Sequence, residues 1–197
     1  MKKKIAILGS TGSIGNSLLS ILLSEKKKFD IVLLTANKSY LSLLKQSKKF
    51  NVKNLIITDI DSYNLAKKIN KNPKLKIYNN FNHLNKIFSK KIDYTMSSIT
   101  GLAGLEPTIN LIKHTKKIAI ANKESIICGW KLIKKELSRC KTNFIPVDSE
   151  HFSLWYGLND FNNNFIEKIY LTASGGPFHK LNLNKLNKVT ISQALKH

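Results

Sequence analysis

Arginine is almost missing from this chain. Of 33 basic residues only Arg139 is an arginine, and with 12 acidic residues the formal net charge is +21. Proteins that read phosphates or bases along nucleic acid rely on the bidentate guanidinium fork, often with aromatics interleaved on one face. Here the lysines are scattered through every segment among asparagines and isoleucines. That uniform bias is the mark of an A+T-rich coding composition, so no specific nucleic-acid partner is expected. The same positive field suits a small, anionic, phosphorylated substrate. Cysteine is equally sparse. Cys128 and Cys140 fit neither a C-x-x-C pair nor a zinc site and read as reduced structural thiols. No apolar run is long enough to span a bilayer, and Met1–Lys4 leads straight into strand-like sequence without a signal pattern. No membrane partner and a cytoplasmic location are therefore expected.

What is present is a repeated alternation of short apolar runs and amphipathic stretches. With 197 residues, 42% of them hydrophobic, the chain can bury a real core, as one large domain or one and a half smaller ones. Ile5–Leu8, Ile31–Leu34, Leu55–Thr58, Asp93–Ile99 and Ile118–Ala121 read as buried strands, with a shorter one over Lys76–Tyr78. Between them, Leu18–Leu23, Leu41–Phe50, Ser62–Asn70, Asn80–Ser89 and a Pro107-led stretch to Lys113 read as helices. This alternation predicts an α/β fold, a doubly wound parallel sheet. Towards the end, Phe144–Val147 and Ile169–Ala173 read as strands, and a last helix begins at Thr190.

Three turns follow strands in ways that carry chemistry. Gly9–Ser10–Thr11–Gly12–Ser13–Ile14–Gly15 joins the first strand to the first helix with G-x-x-G-x-x-G spacing. Gly9 allows a tight turn, Gly12 lets backbone N–H groups approach a pyrophosphate, and Gly15 lets the helix pack close. It differs from G-x-G-x-x-G, and a plain turn is the other reading. After the second strand, Thr35–Ser39 offers no acid for a ribose 2′-hydroxyl but does offer Lys38. This favours NADP over NAD, unless Lys38 is one more surface lysine. Ser97–Gly104 is a small-residue turn where a cofactor could pass close to the backbone.

Two further strand ends concentrate ionisable groups. Asn122–Lys123–Glu124–Ser125 opens a long helix to Arg139, and in an open parallel sheet the ligand crevice lies at the carboxyl ends of the strands. Lys123 is then either a site residue or a surface lysine. Pro146–Val147–Asp148–Ser149–Glu150–His151 puts two carboxylates, a hydroxyl and an imidazole within four residues. Asp148 and Glu150 would share a face if the strand continued, and can converge on a hard divalent cation such as Mg²⁺ or Mn²⁺. The competing reading is an Asp or Ser helix cap. Ser174–Gly175–Gly176–Pro177–Phe178 is either a phosphate cradle or a simple glycine turn.

In order and spacing, G-S-T-G-S-I-G at Gly9–Gly15, A-N-K-E-S at Ala121–Ser125, P-V-D-S-E-H at Pro146–His151 and S-G-G-P-F at Ser174–Phe178 resemble the 1-deoxy-D-xylulose 5-phosphate reductoisomerases. That resemblance implies an NADPH- and divalent-metal-dependent oxidoreductase of non-mevalonate isoprenoid biosynthesis. It rearranges 1-deoxy-D-xylulose 5-phosphate to an aldehyde and reduces it to 2-C-methyl-D-erythritol 4-phosphate. Thr11, Gly12, Ser13 and Ile14 would hold the pyrophosphate side of the cofactor. Asn37, Lys38 and Ser39 would lie near its adenosine phosphate, and Asn122 and Glu124 would also touch it. Asp148 and Glu150 would bind Mg²⁺ or Mn²⁺, with Lys123 beside them in the chemistry. Lys123, Ser149, Glu150, Ser174 and His197 would contact the phosphorylated sugar.

The chain departs from the family pattern at Asn37 and Ser39, and family members are much longer. The resemblance therefore implies an NADPH-binding Rossmann-like domain over residues 1–142 and the start of an α+β catalytic domain over 143–197. A flap, a third metal carboxylate and a helical domain are expected after His197, and a homodimer in the full-length form. By itself the chain is expected to bind NADPH but to turn over poorly. The alternatives are another NADP-linked oxidoreductase without a metal, and a non-catalytic nucleotide- or nucleic-acid-binding remnant.

Overall fold

Ile5–Leu8 has no polar side chain to turn towards water, and it becomes the centre of the sheet. The structure, a computed structural model, describes residues 2–158, 166–170 and 176–196. Strand β1 (Lys3–Leu8) pairs on one side with β2 (Phe29–Ala36) and on the other with β5 (Ile92–Ser97). Outward from β2 lie β3 (Asn54–Ile57) and β4 (Lys76–Tyr78); outward from β5 lie β6 (Thr115–Ile120) and β7 (Asn143–Pro146). The sheet has seven strands in the order β4-β3-β2-β1-β5-β6-β7, all parallel. The doubly wound sheet expected from the sequence is present.

Alternate residues of each strand enter two separate cores, because successive side chains point to opposite faces. Ile5 and Ile7 join Leu19 and Leu22 of α1 (Ser13–Ser24), Leu43 of α2 (Tyr40–Phe50) and Ala66 of α3 (Ile60–Ile69). Ala6 and Leu8 join Leu84 of α4 (Leu84–Ile87), Leu111 and Ile112 of α5 (Leu105–Ile112), and Ile126, Ile133 and Leu137 of α6 (Lys123–Cys140). Each fully buried Leu or Ile side chain among these contributes about 1.5–3 kcal/mol.

Two helices differ from the periodicity reading for local reasons. The helix expected over Asn80–Ser89 shrinks to the four residues of α4. Asn80 accepts from the Asn82 amide at 3.0 Å, and Asn79 accepts from the Asn80 side chain at 3.0 Å. These local bonds compete with helix formation. Helix α5 starts two residues before Pro107, since proline is tolerated in a first turn where its missing N–H has no partner to lose.

The chain divides into two compact units, residues 1–155 and 156–197. Strand β7 belongs to the sheet of the first, so that sheet continues past residue 142. Helix α7 (Ser149–Leu158) begins immediately after Asp148. In the second unit, α8 (Ile191–Ala194) carries a capping box in which Thr190 and Gln193 satisfy each other's backbone amides. Turns of 3₁₀ helix cover Gly176–Phe178 and Leu183–Lys188, and none of this unit's described residues is buried. The strand expected over Ile169–Ala173 falls partly outside the described residues, and Ile169 and Tyr170 lie in no regular element. Among the described residues no helix is long and apolar enough to cross a membrane.

Candidate active site

Sheet register lines up the strand ends. Leu8 pairs with Ser97, Ser97 with Ile120, and Ile120 with Pro146, so these four form one row across the sheet. The ladder runs one residue further: the amides of Ser98, Ala121 and Val147 donate to Leu8, Ser97 and Ile120. Two residues beyond the row stand Ser10, Ile99, Asn122 and Asp148. Strands β1 and β5 are where the strand order reverses, the position at which an open α/β sheet leaves a crevice.

The glycine turn is built against that crevice. Gly9 has φ +74°, and a Cβ there would stand 2.8 Å from the Ser98 carbonyl oxygen. A Cβ on Gly15 would stand 2.5 Å from the Gly9 oxygen and from the Ser10 Cα, so α1 can pack this close only with glycine. Gly12 is different. Its Cβ would meet only ordinary contact at 3.4 Å, and no side chain caps the first turn of α1 beside it. Gly12, Ser13 and Ile14 are exposed and Thr11 is half-buried. Uncapped N–H groups at a helix start are ready donors for an anion.

Periodicity could not reveal what holds this turn. The Gly9 amide donates to Thr35 Oγ1 at 2.9 Å and the Ser10 amide to the Thr35 carbonyl at 3.0 Å. The buried Ser10 hydroxyl donates to Gln46 Oε1 at 2.8 Å. Gln46 Nε2 returns to the Ser10 carbonyl at 3.0 Å and to Asn16 Oδ1 at 2.9 Å, and Asn16 Nδ2 donates to the Thr11 carbonyl at 3.0 Å. The only advance signal was that polar Gln46 and Asn16 sit on otherwise amphipathic helices.

Asn37, Lys38 and Ser39 lie exposed at the end of β2. Asn37 Nδ2 donates to Thr58 Oγ1 at 2.8 Å, and the Ser62 hydroxyl donates to the Lys38 carbonyl at 3.2 Å, tying this loop to the end of β3 and the first turn of α3. No side-chain bond caps α2 at Ser39. The Asp59 carboxyl is held below its ordinary value by hydrogen bonds from Ser62, and by the charge of Lys38 to a smaller extent.

On the other side of the crevice, Asn122 is buried and its polar atoms are engaged. Its Nδ2 donates to the carbonyls of Ile99 and of Gly101, the latter at 2.6 Å, and its Oδ1 caps α6 by accepting from Ser125 at 2.6 Å. Gly104 makes room for it, since a Cβ there would stand 2.4 Å from Asn122 Nδ2. The next two residues, Lys123 and Glu124, are exposed in the first turn of α6.

Asp148 caps α7, so the cap reading of this stretch holds and the strand does not continue into it. Its Oδ1 accepts from the His151 amide at 3.0 Å and from His151 Nδ1 at 2.6 Å. The side chain is only 9% exposed, and among the described residues its Oδ2 is buried without a hydrogen-bond partner. Burial alone would push this carboxyl up. The bonds from His151 and its charge outweigh that and hold the pKa below the ordinary value. Glu150 is exposed in the first turn of α7, where Ser149 Oγ donates to its Oε2 at 2.8 Å. That bond lowers its pKa most, Lys123 lowers it further and Asp148 works against both. Lys123 and Asp148 thus both act on Glu150. Ser174 and His197 lie outside the described residues.

The donor set suits a hard cation in part. An orphaned, buried carboxylate oxygen beside a second carboxylate is the oxygen-donor chemistry of Mg²⁺ or Mn²⁺. Among the described residues, no group of three His, Cys, Asp or Glu side chains could close a metal shell. Water, substrate or another carboxylate has to complete it.

Comparison with known proteins bears on the whole arrangement. Residues 5–129 match the family model described as 1-deoxy-D-xylulose 5-phosphate reductoisomerase, and residues 144–197 match the one described as its C-terminal domain. The chain belongs to this family. It is 59% identical over 197 residues to the reductoisomerase of Pelagibacter ubique strain HTCC1062, covering 99% of this chain and 51% of that protein. It is 41% identical to that of Phocaeicola vulgatus, covering 100% and 51%. The structure superposes on the Zymomonas mobilis reductoisomerase in complex with NADPH with a TM-score of 0.79 at 31% identity, covering 100% of this chain and 52% of that one. A reductoisomerase solved with NADPH, fosmidomycin and magnesium gives a TM-score of 0.76 at 27% identity, covering 99% and 51%. The chain spans about half the length of the curated relatives it matches.

Proposed function

We propose that this chain supplies the NADPH-binding half, and part of the metal and substrate site, of an enzyme converting 1-deoxy-D-xylulose 5-phosphate to 2-C-methyl-D-erythritol 4-phosphate. The observation that carries the reading is the single register row of the sheet. It sets the open glycine turn and the Lys123, Asp148 and Glu150 group at one edge. The structures solved with NADPH and with magnesium, from the same family, support it.

When bound, NADPH supplies a hydride and a divalent cation, Mg²⁺ or Mn²⁺, supplies Lewis-acid polarisation of the substrate oxygens. The chain's own residues bind and orient. Thr11, Gly12, Ser13 and Ile14 receive the pyrophosphate at the uncapped start of α1, where the Gly12 amide is turned back to the Gly9 carbonyl at 3.1 Å and no side chain at Gly12 intervenes. Asn37, Lys38 and Ser39 take the adenosine phosphate, the Lys38 ammonium selecting the 2′-phosphate. Asn122, whose side chain also holds the Ile99–Gly101 backbone in place, and Glu124 touch the cofactor at the start of α6. Asp148 and Glu150 hold the cation, and Lys123 sets a positive charge where oxyanion character develops. Ser149, Glu150, Ser174, His197 and Lys123 contact a small phosphorylated sugar. The domain division is a cofactor domain over 1–142 followed by the start of the catalytic domain over 143–197, working in the cytoplasm as part of a homodimer.

The test is titration of the protein with NADPH and NADH, followed by fluorescence. Saturable NADPH binding, weakened about tenfold or more for NADH and in Lys38→Ala, is expected. No NADPH binding, with salt-sensitive binding to DNA or RNA instead, would sink the proposal.

A further inference from the structure

We infer that His151 is a positioning residue that aims the buried oxygen of Asp148 at a divalent cation. The inference deepens the metal reading above and rests on it. A helix cap needs only one acceptor oxygen, and an aspartate that does nothing else leaves its second oxygen in water. Here both hydrogen bonds converge on Oδ1: the His151 backbone N–H at 3.0 Å and Nδ1 at 2.6 Å. An ionised carboxylate has no proton to give, so Nδ1 is the donor. Two donors on one oxygen fix the rotation of the carboxylate plane, and Oδ2 is left buried and unpartnered. Burying a charged oxygen without a partner is costly, and a cation removes that cost.

The imidazole is half exposed, and it lines an apolar groove with Ile126, Trp130, Phe144, Pro146 and Trp155, whose side chains bring no carboxylate or hydroxyl to compete for the ring. Groups that hydrogen-bond a metal's ligands tune affinity through orientation. His151 belongs to that class and does not touch the metal.

The test is Mn²⁺ binding to the 197-residue protein, read by electron paramagnetic resonance, for the unmodified chain, Asp148→Asn, His151→Ala and His151→Asn. Thermal unfolding is followed in parallel. His151→Ala is expected to weaken Mn²⁺ binding about 10–100-fold. His151→Asn, whose amide can place an N–H near the position of Nδ1, is expected to recover most of it at an unfolding temperature no higher than that of His151→Ala. A merely structural role would show no such rescue. If His151→Ala binds Mn²⁺ as the unmodified chain does while Asp148→Asn loses it, the positioning role is overturned and the metal site stands. If Asp148→Asn also binds normally, or the unmodified chain binds no Mn²⁺, the metal reading fails and the role of His151 falls with it.

Discussion

At the scale of single residues, the glycines of the first turn separate two physical jobs that one motif hides. Gly15 is required by the protein itself, since a Cβ there would collide with backbone at 2.5 Å. Gly12 meets nothing closer than 3.4 Å, so the fold itself does not require its side chain to be missing. Gly15→Ala is therefore expected to destabilise the fold by about 1–3 kcal/mol, read from denaturant unfolding. Gly12→Ala is expected to leave unfolding nearly unchanged while weakening NADPH binding. Equal loss of stability in both variants would refute the distinction. Asn122 makes a related point. Its side chain is spent on Ile99, Gly101 and the α6 cap, so the cofactor contact proposed for this residue falls to its backbone.

At the scale of elements, α5 and β6 meet over a buried histidine. His114 stacks at 5.3 Å from Phe88, and its Nε2 is buried with no hydrogen-bond partner among the described residues. Burial pushes its pKa below the ordinary 6.5, helped by the charge of Lys113. The folded state therefore binds this proton less readily than the unfolded chain. Its contribution to stability is fully present above pH 6.5 and is lost as the pH falls through the lower folded value. The unfolding midpoint is expected to drop between pH 7 and 5, and to drop less in His114→Gln, which cannot titrate. Asp148, whose pKa is lowered, adds a loss of the same sign at lower pH, so the two are told apart by the histidine variant. An unchanged pH profile in His114→Gln would show that the ring is reached by solvent.

At the scale of the molecule, burial is distributed unevenly between the two units. The first holds both cores, whereas no described residue of the second is buried. Amide exchange should therefore be slowest for Ala6–Leu8 and Ile118–Ile120, and fast over 183–194, since protection follows buried contacts. Comparable protection in both would contradict the two-unit division. Charge shows the same contrast between composition and placement. The one arginine is committed to Glu136 at 2.6 Å on the outer part of α6, an exposed pair worth little. The positive field thus comes from dispersed lysines, and of these Lys38 and Lys123 are the ones set at the crevice edge by strand ends.

Alternating apolar runs, glycine placement and turn chemistry act over a few residues, which is why strands β1 to β7, the parallel sheet and the crevice edge were legible in the sequence. The shortened α4 shows where that reach ends: local asparagine bonds overrode a pattern that looked helical. Two matters belonged to tertiary structure alone. One is the Thr35, Gln46 and Asn16 network, whose partners lie up to 36 residues apart and meet only when α1 and α2 pack on the same face. The other is the double nature of Asp148. From the sequence, cap and cation ligand were rival readings. In the fold one oxygen does the capping and the other is buried facing no partner, because burial and hydrogen-bond direction are properties of packed three-dimensional neighbours and not of chain order.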